Sequence, residues 1–465
     1  MMLAELSRIF DAIPGHAEKR RIAAIEAELP LFLRMLAMLL DMNVPFAQAL
    51  EAASRNGECG KEFSRAVREI ENGAGVPKAL AKLAESEKGE AVKKSAIQMI
   101  SAYEQGGGGA QIRRIGDDMV SLQRYRMRDF VSKSSLFGLM FVIFAAVVPT
   151  FFLVFATAGK LALGIDVGGA AFAAVFLLAF PAVDAGILLI SDAQMPPAVF
   201  RAERGSGTIA AFVLLACALA FVMLLGLGWG ERLLALAAVI GGSWLLFRNE
   251  YAEERRVEKL EEALPDALLG VSGLPRNYGI ARIFGRMAEA GGPVADEAGK
   301  TLRQLEANVS PDKALEDLWG RNRSFMLRRM GELMLNAHAA GANISEKMHE
   351  MAEDLLGVAE LRRERENAVS MQKYTLFIGA LIVPLILGAS LSLVSQMSSF
   401  IEGGSNAEVL GMAPNVIAAY VIMYAALSAL YVGHAEERRS RLVPYFTVMA
   451  LAGQIGFYIL SQQFA

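Results

Sequence analysis

The sequence predicts an all-α polytopic membrane protein with two duplicated cytoplasmic helical bundles and about seven transmembrane helices. Three observations lead to this prediction. First, 54% of the 465 residues are hydrophobic, more than in an ordinary soluble protein, yet 20% are charged. Second, the apolar and the charged residues occupy separate stretches of the chain. Third, much of the first half of the sequence coincides with the second half after a single constant shift.

Long apolar runs mark the predicted transmembrane helices, because about 20 apolar residues are enough to cross the hydrocarbon core of a membrane. The run 167–190 contains a single charged residue, Asp184. The run 233–247 is shorter than the others and is the weakest of the seven candidates. The other five runs carry no charged residue and cover 136–158, 208–227, 374–397, 412–433 and 442–465.

The distribution of lysine and arginine predicts the orientation of these helices. Basic residues precede the first and fifth runs, follow the fourth, and lie between the second and third and between the sixth and seventh. The alternate connections carry almost none. Since basic loops stay in the cytoplasm, the chain is predicted to be a multi-pass protein of the cytoplasmic membrane. Its N-terminus is expected in the cytoplasm and its C-terminus outside.

A shift of 235 positions aligns the two halves without a gap, so that Leu29, for example, falls on Leu264. Single positions often differ, but the shared ones recur along a whole domain and its first apolar run. We interpret this as duplication of one unit, a cytoplasmic helical domain followed by a transmembrane helix. Four predicted spans separate the copies, so both face the same side. The aligned pairs include Lys78-Ala79-Leu80 with Lys313-Ala314-Leu315, Gly57 with Gly292, Gly106 with Gly341, and Pro149 with Pro384.

The duplication and the apolar runs divide the chain into five segments. Residues 1–28 are expected to be an amphipathic N-terminal segment, since apolar residues recur there at helical spacing. The two cytoplasmic helical units are expected at 29–133 and 251–373. Transmembrane helices fill the remainder, with four in 134–250 and three in 374–465.

Four consecutive glycines, Gly106 to Gly109, raise the question of a phosphate-binding loop. A Walker loop needs a preceding strand and a Lys-Ser or Lys-Thr pair that opens a helix. Here no β-branched run precedes the glycines, and Ala110 follows them. The second copy keeps a single glycine, Gly341, as expected of a helix C-cap that needs one left-handed residue. Gly106 and Gly341 are therefore predicted to form turns between helices.

These patterns resemble the F-domain platform proteins of type II secretion and type IV pilus machines. In the first copy the resemblance rests on a leucine-rich opening helix at 29–40, on NVPFAQAL at 43–50 and on ENGAGVPKAL at 71–80. In the second copy it rests on EANVSPDKALEDL at 306–318 and on Gly341, although the glycine of ENGAG is missing. The chain looks most like the archaeal two-domain version, which serves pili and the archaellum.

The resemblance implies a non-catalytic platform in the cytoplasmic membrane, beneath a growing filament, without a cofactor. Such a platform contacts a hexameric secretion ATPase through its cytoplasmic domains. It converts the movements of the ATPase into the extraction of pilin-like subunits from the membrane. The resemblance also implies a homodimer or a similar assembly.

Arginine clusters are the candidate contacts for the ATPase. Guanidinium groups on a cytoplasmic face can dock an acidic surface, whereas arginines beside the membrane also set topology and touch anionic lipid headgroups. Both interpretations stay open for the clusters nearest the membrane, which contain Arg124, Arg126, Arg362 and Arg363. The preferred contacts lie far from any apolar run and are Arg321, Arg323, Arg328 and Arg329.

Three residues inside the apolar runs are further candidates. Asp184 is a functional candidate as an intramembrane carboxylate, although it lies close enough to the cytoplasmic end to reach water or a helix terminus. No apolar run holds a second aspartate, so an aspartyl protease dyad is excluded. Pro149 and Pro384 are predicted to kink their helices, since proline removes a backbone donor. Matching kinks could form a cleft for a pilin helix, or they could reflect shared ancestry and packing.

No catalytic, metal-binding or cofactor-binding pattern is visible in the sequence. The four histidines lack metal-ligand spacing, and no serine-histidine-acid signature is present. The net charge of −3 and the lack of aromatic residues among the basic clusters disfavour nucleic acid as a partner. The main alternative is a transporter or channel with cytoplasmic regulatory domains. A transporter places its repeat in the membrane spans, whereas this repeat lies mostly in the cytoplasm. A membrane-bound enzyme ranks third.

Overall fold

The computed structural model describes residues 16–462 apart from short gaps, and every regular element in these ranges is a helix. The predicted all-α class is therefore confirmed. Most of the predicted N-terminal segment lies outside the described residues. The gaps fall at 56, 87–88, 107, 164–166, 195–206, 227, 274–278, 323, 340–343, 401–406 and 437–440.

The first cytoplasmic unit is a series of amphipathic helices that ends in one very long helix. In the third helix the buried positions Phe63, Ala66 and Val67 recur three and four residues apart, as expected of one buried helix face. The last helix is 55 residues long and continues through the first apolar run. The helices are α1 (His16–Asp41), α2 (Phe46–Ala53), α3 (Gly57–Glu71), α4 (Val76–Ser86), α5 (Glu90–Glu104) and α6 (Gly109–Leu163).

Apolar helices follow between the two cytoplasmic units. The second apolar run begins as a short α-helix, passes through one π-helical turn at Val175–Ala179 and continues as an α-helix that carries Asp184. A π-helical turn inserts one residue into the helical register and is frequent at functional sites. The helices of this part are α7 (Gly169–Ala174), α8 (Phe180–Gln194) and α9 (Gly207–Leu224).

The second cytoplasmic unit repeats the order of the first, and two apolar helices complete the described chain. Its opening helix is 44 residues long, because it joins the predicted fourth span to the first cytoplasmic helix of the unit. The helices are α10 (Trp229–Ser272), α11 (Ile280–Glu289), α12 (Gly292–Glu306), α13 (Pro311–Asn322), α14 (Phe325–Ala339), α15 (Ile344–Phe400), α16 (Ala407–Ala435) and α17 (Leu442–Gln462).

The helix boundaries follow the offset found in the sequence. Helix α3 begins at Gly57 and α12 begins at Gly292, a difference of 292 − 57 = 235 positions. Both bounds of α5 and α14 differ by the same amount, as do the first residues of α6 and α15. The two units therefore share one backbone plan, although most of their side chains differ.

The turn after α3 explains the missing glycine of the second copy. Gly73 has φ +90°, and the aligned residue Asn308 has φ +59°, so both adopt the left-handed conformation. Asparagine is the residue that tolerates this conformation best after glycine. The backbone geometry of the turn is thus retained although the residue has changed.

The longest helices connect the cytoplasmic units to the membrane without interruption. Helices α6 and α15, of 55 and 57 residues, each begin in a cytoplasmic unit and include the aligned prolines Pro149 and Pro384. Both remain helical on either side of their proline. Whether these prolines kink their helices stays a prediction.

Five of the described helices are long and apolar enough to cross a membrane. They contain the predicted first, second, fifth, sixth and seventh spans. The third span corresponds to a shorter apolar helix, Phe212–Leu224 within α9. The weak fourth candidate, 233–247, forms the first half of α10. The chain is thus a polytopic membrane protein, and the count of seven stays a prediction.

One continuous hydrophobic core joins the two cytoplasmic units. Buried residues of both units form a single cluster, which includes Leu33 and Phe63 of the first unit and Leu264, Leu268 and Met351 of the second. Helices α6 and α15 pack along each other, while α1 packs on α6 and α10 packs on α15. The units predicted from the repeat therefore share one interior.

A second core lies among the apolar helices, and α16 is at its centre. In the most apolar stretch of α16, 83% of the residues are buried, compared with 33% in α6. Tyr420 and Tyr424 are among the largest fully buried side chains of the described chain. By contrast, Phe151 of α6 is 71% exposed, as expected of a helix face that meets lipid.

Candidate functional site

Each cytoplasmic unit buries one glutamate under an arginine of its opening helix. Arg21 Nη1 lies 2.6 Å from Oε2 of Glu62, and Arg256 Nη2 lies 2.8 Å from Oε1 of Glu297. Both glutamates are almost completely buried. A second base one turn further along the helix completes each cluster, Arg65 in the first unit and Lys300 in the second, both at 2.6 Å.

These ion pairs were not predicted from the sequence, because none of the residues belongs to a conspicuous motif. The repeat itself held the signal. Arg21 aligns with Arg256, and Glu62 aligns with Glu297, at the same offset of 235 that relates the rest of the two copies. A charged pair that persists in both copies while most neighbours change indicates a contact required by the shared backbone.

Glu297 is the centre of a larger cluster that includes one predicted partner residue. Asn322 Nδ2 donates to Glu297 Oε2 at 3.0 Å, and Arg321 Nε donates to the same oxygen at 3.3 Å. Burial by itself would raise the pKa of Glu297. The hydrogen bonds from Lys300, Asn322 and Arg321 outweigh burial, so the pKa lies below its usual range. Arg321 therefore binds a buried glutamate of its own unit, although its side chain stays partly exposed.

The other preferred arginines have different environments. Arg329 is half-buried and donates a hydrogen bond to the carbonyl oxygen of Leu31 in α1, so it joins the second unit to the first. Burial lowers the pKa of Arg329. Arg328 is exposed and lies 3.1 Å from Glu332, one turn away on α14. Arg323 lies outside the described residues.

Two of the arginines near the membrane hold an opening helix against the following long helix. Arg126 of α6 lies 2.7 Å from Glu26 of α1. Arg362 of α15 lies 3.2 Å from Glu261 of α10. Glu26 and Glu261 are aligned positions of the repeat, while their arginine partners differ by one place from alignment. The same brace is therefore built twice.

The remaining two arginines near the membrane lie on or between the long helices. Arg124 of α6 lies 3.3 Å from Glu360 and 3.7 Å from Glu364 of α15. Arg363 of α15 is exposed. The predicted cluster thus includes one interhelical ion pair and one outward-facing guanidinium group.

Further ion pairs fasten α1 and α6 of the first unit to α15 of the second. Arg34 of α1 lies 2.7 Å from Asp117 of α6 and 2.7 Å from Asp354 of α15. Burial raises the pKa of Asp354, and the nearby Arg34 acts in the opposite direction. Arg113 of α6 binds both Asp41 and Glu350. These contacts surround the core that the two units share.

The glycine run contains two glycines with distinct structural requirements. Gly106 has φ +67°, and its N–H donates to the carbonyl oxygen of Tyr103 at 3.1 Å, which closes the turn between α5 and α6. At Gly109 a Cβ atom would collide with the carbonyl oxygen of Ala37, so the start of α6 lies directly against α1. Gly108 faces open space. The aligned Gly341 lies outside the described residues.

Asp184 is buried in the membrane bundle and not exposed at its edge. Only 1% of the residue is accessible, and its Oδ2 lies 3.0 Å from the hydroxyl oxygen of Tyr420 in α16. The same hydroxyl lies 3.0 Å from the carbonyl oxygen of Ala145 in α6. Three apolar helices, α6, α8 and α16, therefore meet at one phenol group.

A second buried polar network lies nearer the predicted cytoplasmic surface. The hydroxyls of Ser191 and Tyr431 are 2.8 Å apart, and Gln372 Nε2 donates to Ser191 Oγ at 3.1 Å. Tyr431 in turn donates to Gln372 Oε1 at 2.6 Å. This network was not predicted from the sequence, because uncharged polar residues within or next to an apolar run are not conspicuous. Ser191 follows Asp184 by two helical turns and shares its face.

The two units differ at the end of the opening helix that lies away from the membrane. In the second unit a groove of about 610 Å³ opens among α10, α11 and α12. Its lining includes Gly270, Gly273 and Gly285. The aligned positions in the first unit hold Met35, Met38 and Leu50, all of them buried. Glycine in the second copy thus leaves open the space that large side chains fill in the first.

Together these features define a polytopic all-α membrane protein with a duplicated cytoplasmic unit that continues into the membrane. The family model described as type II secretion system (T2SS), protein F matches residues 32–158 and 272–391, together more than half of the chain. The chain belongs to this family. The resemblance found in the sequence is thereby confirmed, while its closer likeness to the archaeal version stays a prediction. No curated protein and no solved structure matches this chain.

Proposed function

We propose that this protein is the cytoplasmic-membrane platform of a type IV pilus-like, archaellum or type II secretion machine, coupling a cytoplasmic secretion ATPase to the assembly of pilin-like subunits. The continuity of α6 and α15 carries this proposal. Each long helix begins inside the shared cytoplasmic core and extends through an apolar span. A displacement of the cytoplasmic surface would therefore be passed directly to the membrane bundle. No step of this function requires chemistry by the platform itself.

In this proposal both cytoplasmic units and the N-terminus lie in the cytoplasm, and the C-terminus lies outside. The network of Ser191, Gln372 and Tyr431 supports it, because the lysine and arginine pattern predicts that all three residues lie near cytoplasmic ends of their spans. The network joins the predicted cytoplasmic ends of the second, fifth and sixth spans, which is consistent with spans that cross the membrane in alternating directions. The unit boundaries at 29–133 and 251–373 remain part of the proposal.

We further propose Arg328 and Arg363 as the principal contacts for the ATPase. Both are exposed, and Arg328 pairs with Glu332 on its own helix, whereas Arg124, Arg126, Arg321, Arg329 and Arg362 bind acceptors on other helices. Exposed guanidinium groups steer association with an acidic partner surface and set its specificity. The arginines that bind other helices would support the same surface by holding these helices in place, and those near the membrane would also meet anionic lipid.

Affinity purification of the tagged protein from its native cell tests both levels of the proposal. A secretion ATPase or pilin-like subunits should co-purify after gentle extraction and cross-linking. The R328E/R363E double variant should lose the ATPase. The control R286E reverses another exposed arginine with an ion-pair partner one turn away, Glu289, and should keep it. An ATPase retained by R328E/R363E would contradict the contact alone.

The same experiment separates the platform from its main alternative, a transporter or channel. Asp184 is the observation that favours the alternative, since buried intramembrane carboxylates often line substrate or ion pathways. If neither an ATPase nor a pilin-like subunit is recovered from cross-linked membranes, the platform proposal is wrong. Solute flux into vesicles that contain the purified protein would then be the appropriate measurement. A homodimer should appear as a cross-linked species of twice the chain mass.

A further inference from the structure

The carbonyl oxygen of Ala145 lacks its usual helical partner. In an α-helix this oxygen accepts a hydrogen bond from the N–H of the residue four positions later. That residue is Pro149, which has no N–H. An unpaired carbonyl group in the apolar interior of a membrane is strongly unfavourable, so a donor from outside the helix is needed. The hydroxyl of Tyr420 lies 3.0 Å away and supplies one.

Counting hydrogens at Tyr420 fixes the state of its second neighbour. A phenol carries one hydrogen, and the oxygens of Ala145 and Asp184 both lie 3.0 Å from the phenol oxygen. The carbonyl of Ala145 can only accept. If Tyr420 donates to Ala145, the contact with Asp184 is a hydrogen bond only when the carboxyl group carries the hydrogen. A protonated Asp184 satisfies all three groups, whereas an ionised one leaves a buried acceptor unpaired.

The charges around Asp184 are consistent with a neutral carboxyl group. The residue is 1% exposed and packs against α6 and α16. Among the residues that the structure describes, the titratable side chains that face it are Tyr420 and Tyr424, both of α16. The apolar runs 136–158 and 412–433, which supply those parts of α6 and α16, contain no lysine or arginine. A carboxylate without a counter-ion is costly in such surroundings.

Aromatic rings hold the phenol group in position. The ring of Tyr420 contacts Phe176 edge-on at 5.8 Å and Phe180 edge-on at 6.3 Å between centroids. Phe176 belongs to the π-helical turn at Val175–Ala179, and Phe180 begins α8. Both rings thus come from the chain segment that leads to Asp184, which fixes the distance between the carboxyl group and the hydroxyl.

From this geometry we infer that Asp184 is a proton-binding site. Its bound proton lets Tyr420 donate to the carbonyl oxygen of Ala145 that Pro149 leaves without a partner. Loss of that proton would turn the hydroxyl of Tyr420 toward the carboxylate and free the oxygen of Ala145. Protonation thus joins the second and sixth predicted spans to the proline site of the first, and through α6 to the first cytoplasmic unit.

The aligned proline of the second unit provides a built-in control. Pro384 likewise removes the donor for the carbonyl oxygen of Ala380. There the neighbour is Gly453 of α17, where an added Cβ atom would lie 3.3 Å from that oxygen. The hydroxyl of Tyr420 pairs with the first proline site only. Restoring a backbone donor at position 149 should therefore reduce the stability that is lost when the hydroxyl of Tyr420 is removed. Restoring a donor at position 384 should leave that loss unchanged.

A set of double variants of the full-length protein in detergent tests the contact with Ala145. Y420F should lower the melting temperature by several degrees. In the P149A background, where residue 149 again donates to Ala145, the same change should cost clearly less. In the P384A background it should cost as much as in the wild type. Equal costs in all three backgrounds would overturn the assignment of Tyr420 to the oxygen of Ala145.

Infrared spectroscopy tests the proton itself and does not depend on the stability of any variant core. The wild-type protein at neutral pH should show the carbonyl stretch of a protonated carboxylic acid, which shifts in D₂O. The conservative D184N variant should lack this band, and E289Q, which removes an exposed carboxylate, should keep it. A wild-type spectrum without a band that depends on Asp184 would overturn the proton-binding site.

Discussion

Glu62 and Glu297 occupy the same position in their units. Glu62 forms an ion pair with Arg21, and Glu297 forms one with Arg256, the residue aligned with Arg21. Burying a carboxylate is unfavourable unless it is paired and hydrogen-bonded, because water no longer solvates the charge. Arg256 remains half exposed, so part of its solvation is retained. At the residue scale, these glutamates act as fixed anchors that orient the opening helix on α3 and on α12.

Replacing Glu297 by glutamine should destabilise the protein at neutral pH. The change removes the negative charge that Arg256 and Lys300 face, and hydrogen bonds to charged groups contribute roughly 1.5–3 kcal/mol each. A loss of this order is expected in the free energy of unfolding. The measurement is a melting curve in detergent, with the exposed pair variant E289Q as the control. A melting temperature equal to that of the control would contradict the anchor role.

The cost of E297Q should also depend on pH. The pKa of folded Glu297 lies below its usual range, since the hydrogen bonds outweigh burial. Its contribution to stability is therefore complete above the unfolded value of about 4.3 and is lost as the pH falls through the folded value. The difference in melting temperature between wild type and E297Q should shrink below about pH 4. A difference in melting temperature that grows on acidification would contradict a lowered pKa of Glu297 in the folded protein.

At the scale of single elements, the ends of the helices are specified more tightly than their interiors. The glycines at Gly57 and Gly292, and the Gly73 and Asn308 pair, keep left-handed φ angles in both units. Between these turns the side chains diverge, whereas α3 and α12 keep the same bounds after the shift of 235 positions. Turn geometry therefore fixes where each helix starts, and the side chains only have to cover a common core.

The glycine run offers a direct test of this view. G106A should cost about 1–2 kcal/mol, because alanine is strained at φ +67°. G108A should be neutral or slightly stabilising, since an added Cβ atom meets nothing there. Each variant adds one methyl group, and the two positions are two residues apart. Thermal unfolding of both variants compares their stabilities directly. Equal effects would mean that the run acts as a flexible linker and not as a defined turn.

At the scale of the whole molecule, the shared core makes the two cytoplasmic units mechanically dependent on each other. Arg34 connects α1, α6 and α15 through Asp117 and Asp354, and Arg329 of the second unit binds the backbone of α1 in the first. A force applied to either unit is thus distributed to both long helices. This arrangement suits a platform that must move several spans together.

Replacing Arg34 by methionine should loosen both units at once. Asp354 would lose the guanidinium group that compensates its burial, while the stem of the methionine would keep much of the packing. Hydrogen exchange should become faster in α1 and in the cytoplasmic half of α15. The control K82M removes an exposed ion pair within the first unit and should change neither helix. Faster exchange confined to α1 would contradict the mechanical coupling.

The sequence by itself determined the fold class, the duplication and the family, because these depend on local properties. Apolar runs, helical periodicity and turn glycines each act over a few residues, and the repeat needs only an alignment of the chain with itself. The turn at Gly106 was predictable for the same reason. Asp184 could likewise be singled out as a candidate site, since a charge inside an apolar run is conspicuous without any knowledge of its neighbours.

Only the tertiary structure decided which residues meet. The contacts of Asp184 with Tyr420, of Glu297 with Asn322 and of Arg329 with Leu31 span 25 to 298 positions of the chain. No local pattern encodes contacts of that separation. The arginines looked alike in the sequence, yet the fold turns Arg329 inward and leaves Arg363 exposed. The pairing of Tyr420 with the carbonyl that Pro149 leaves free likewise exists only because α16 crosses α6 at that point.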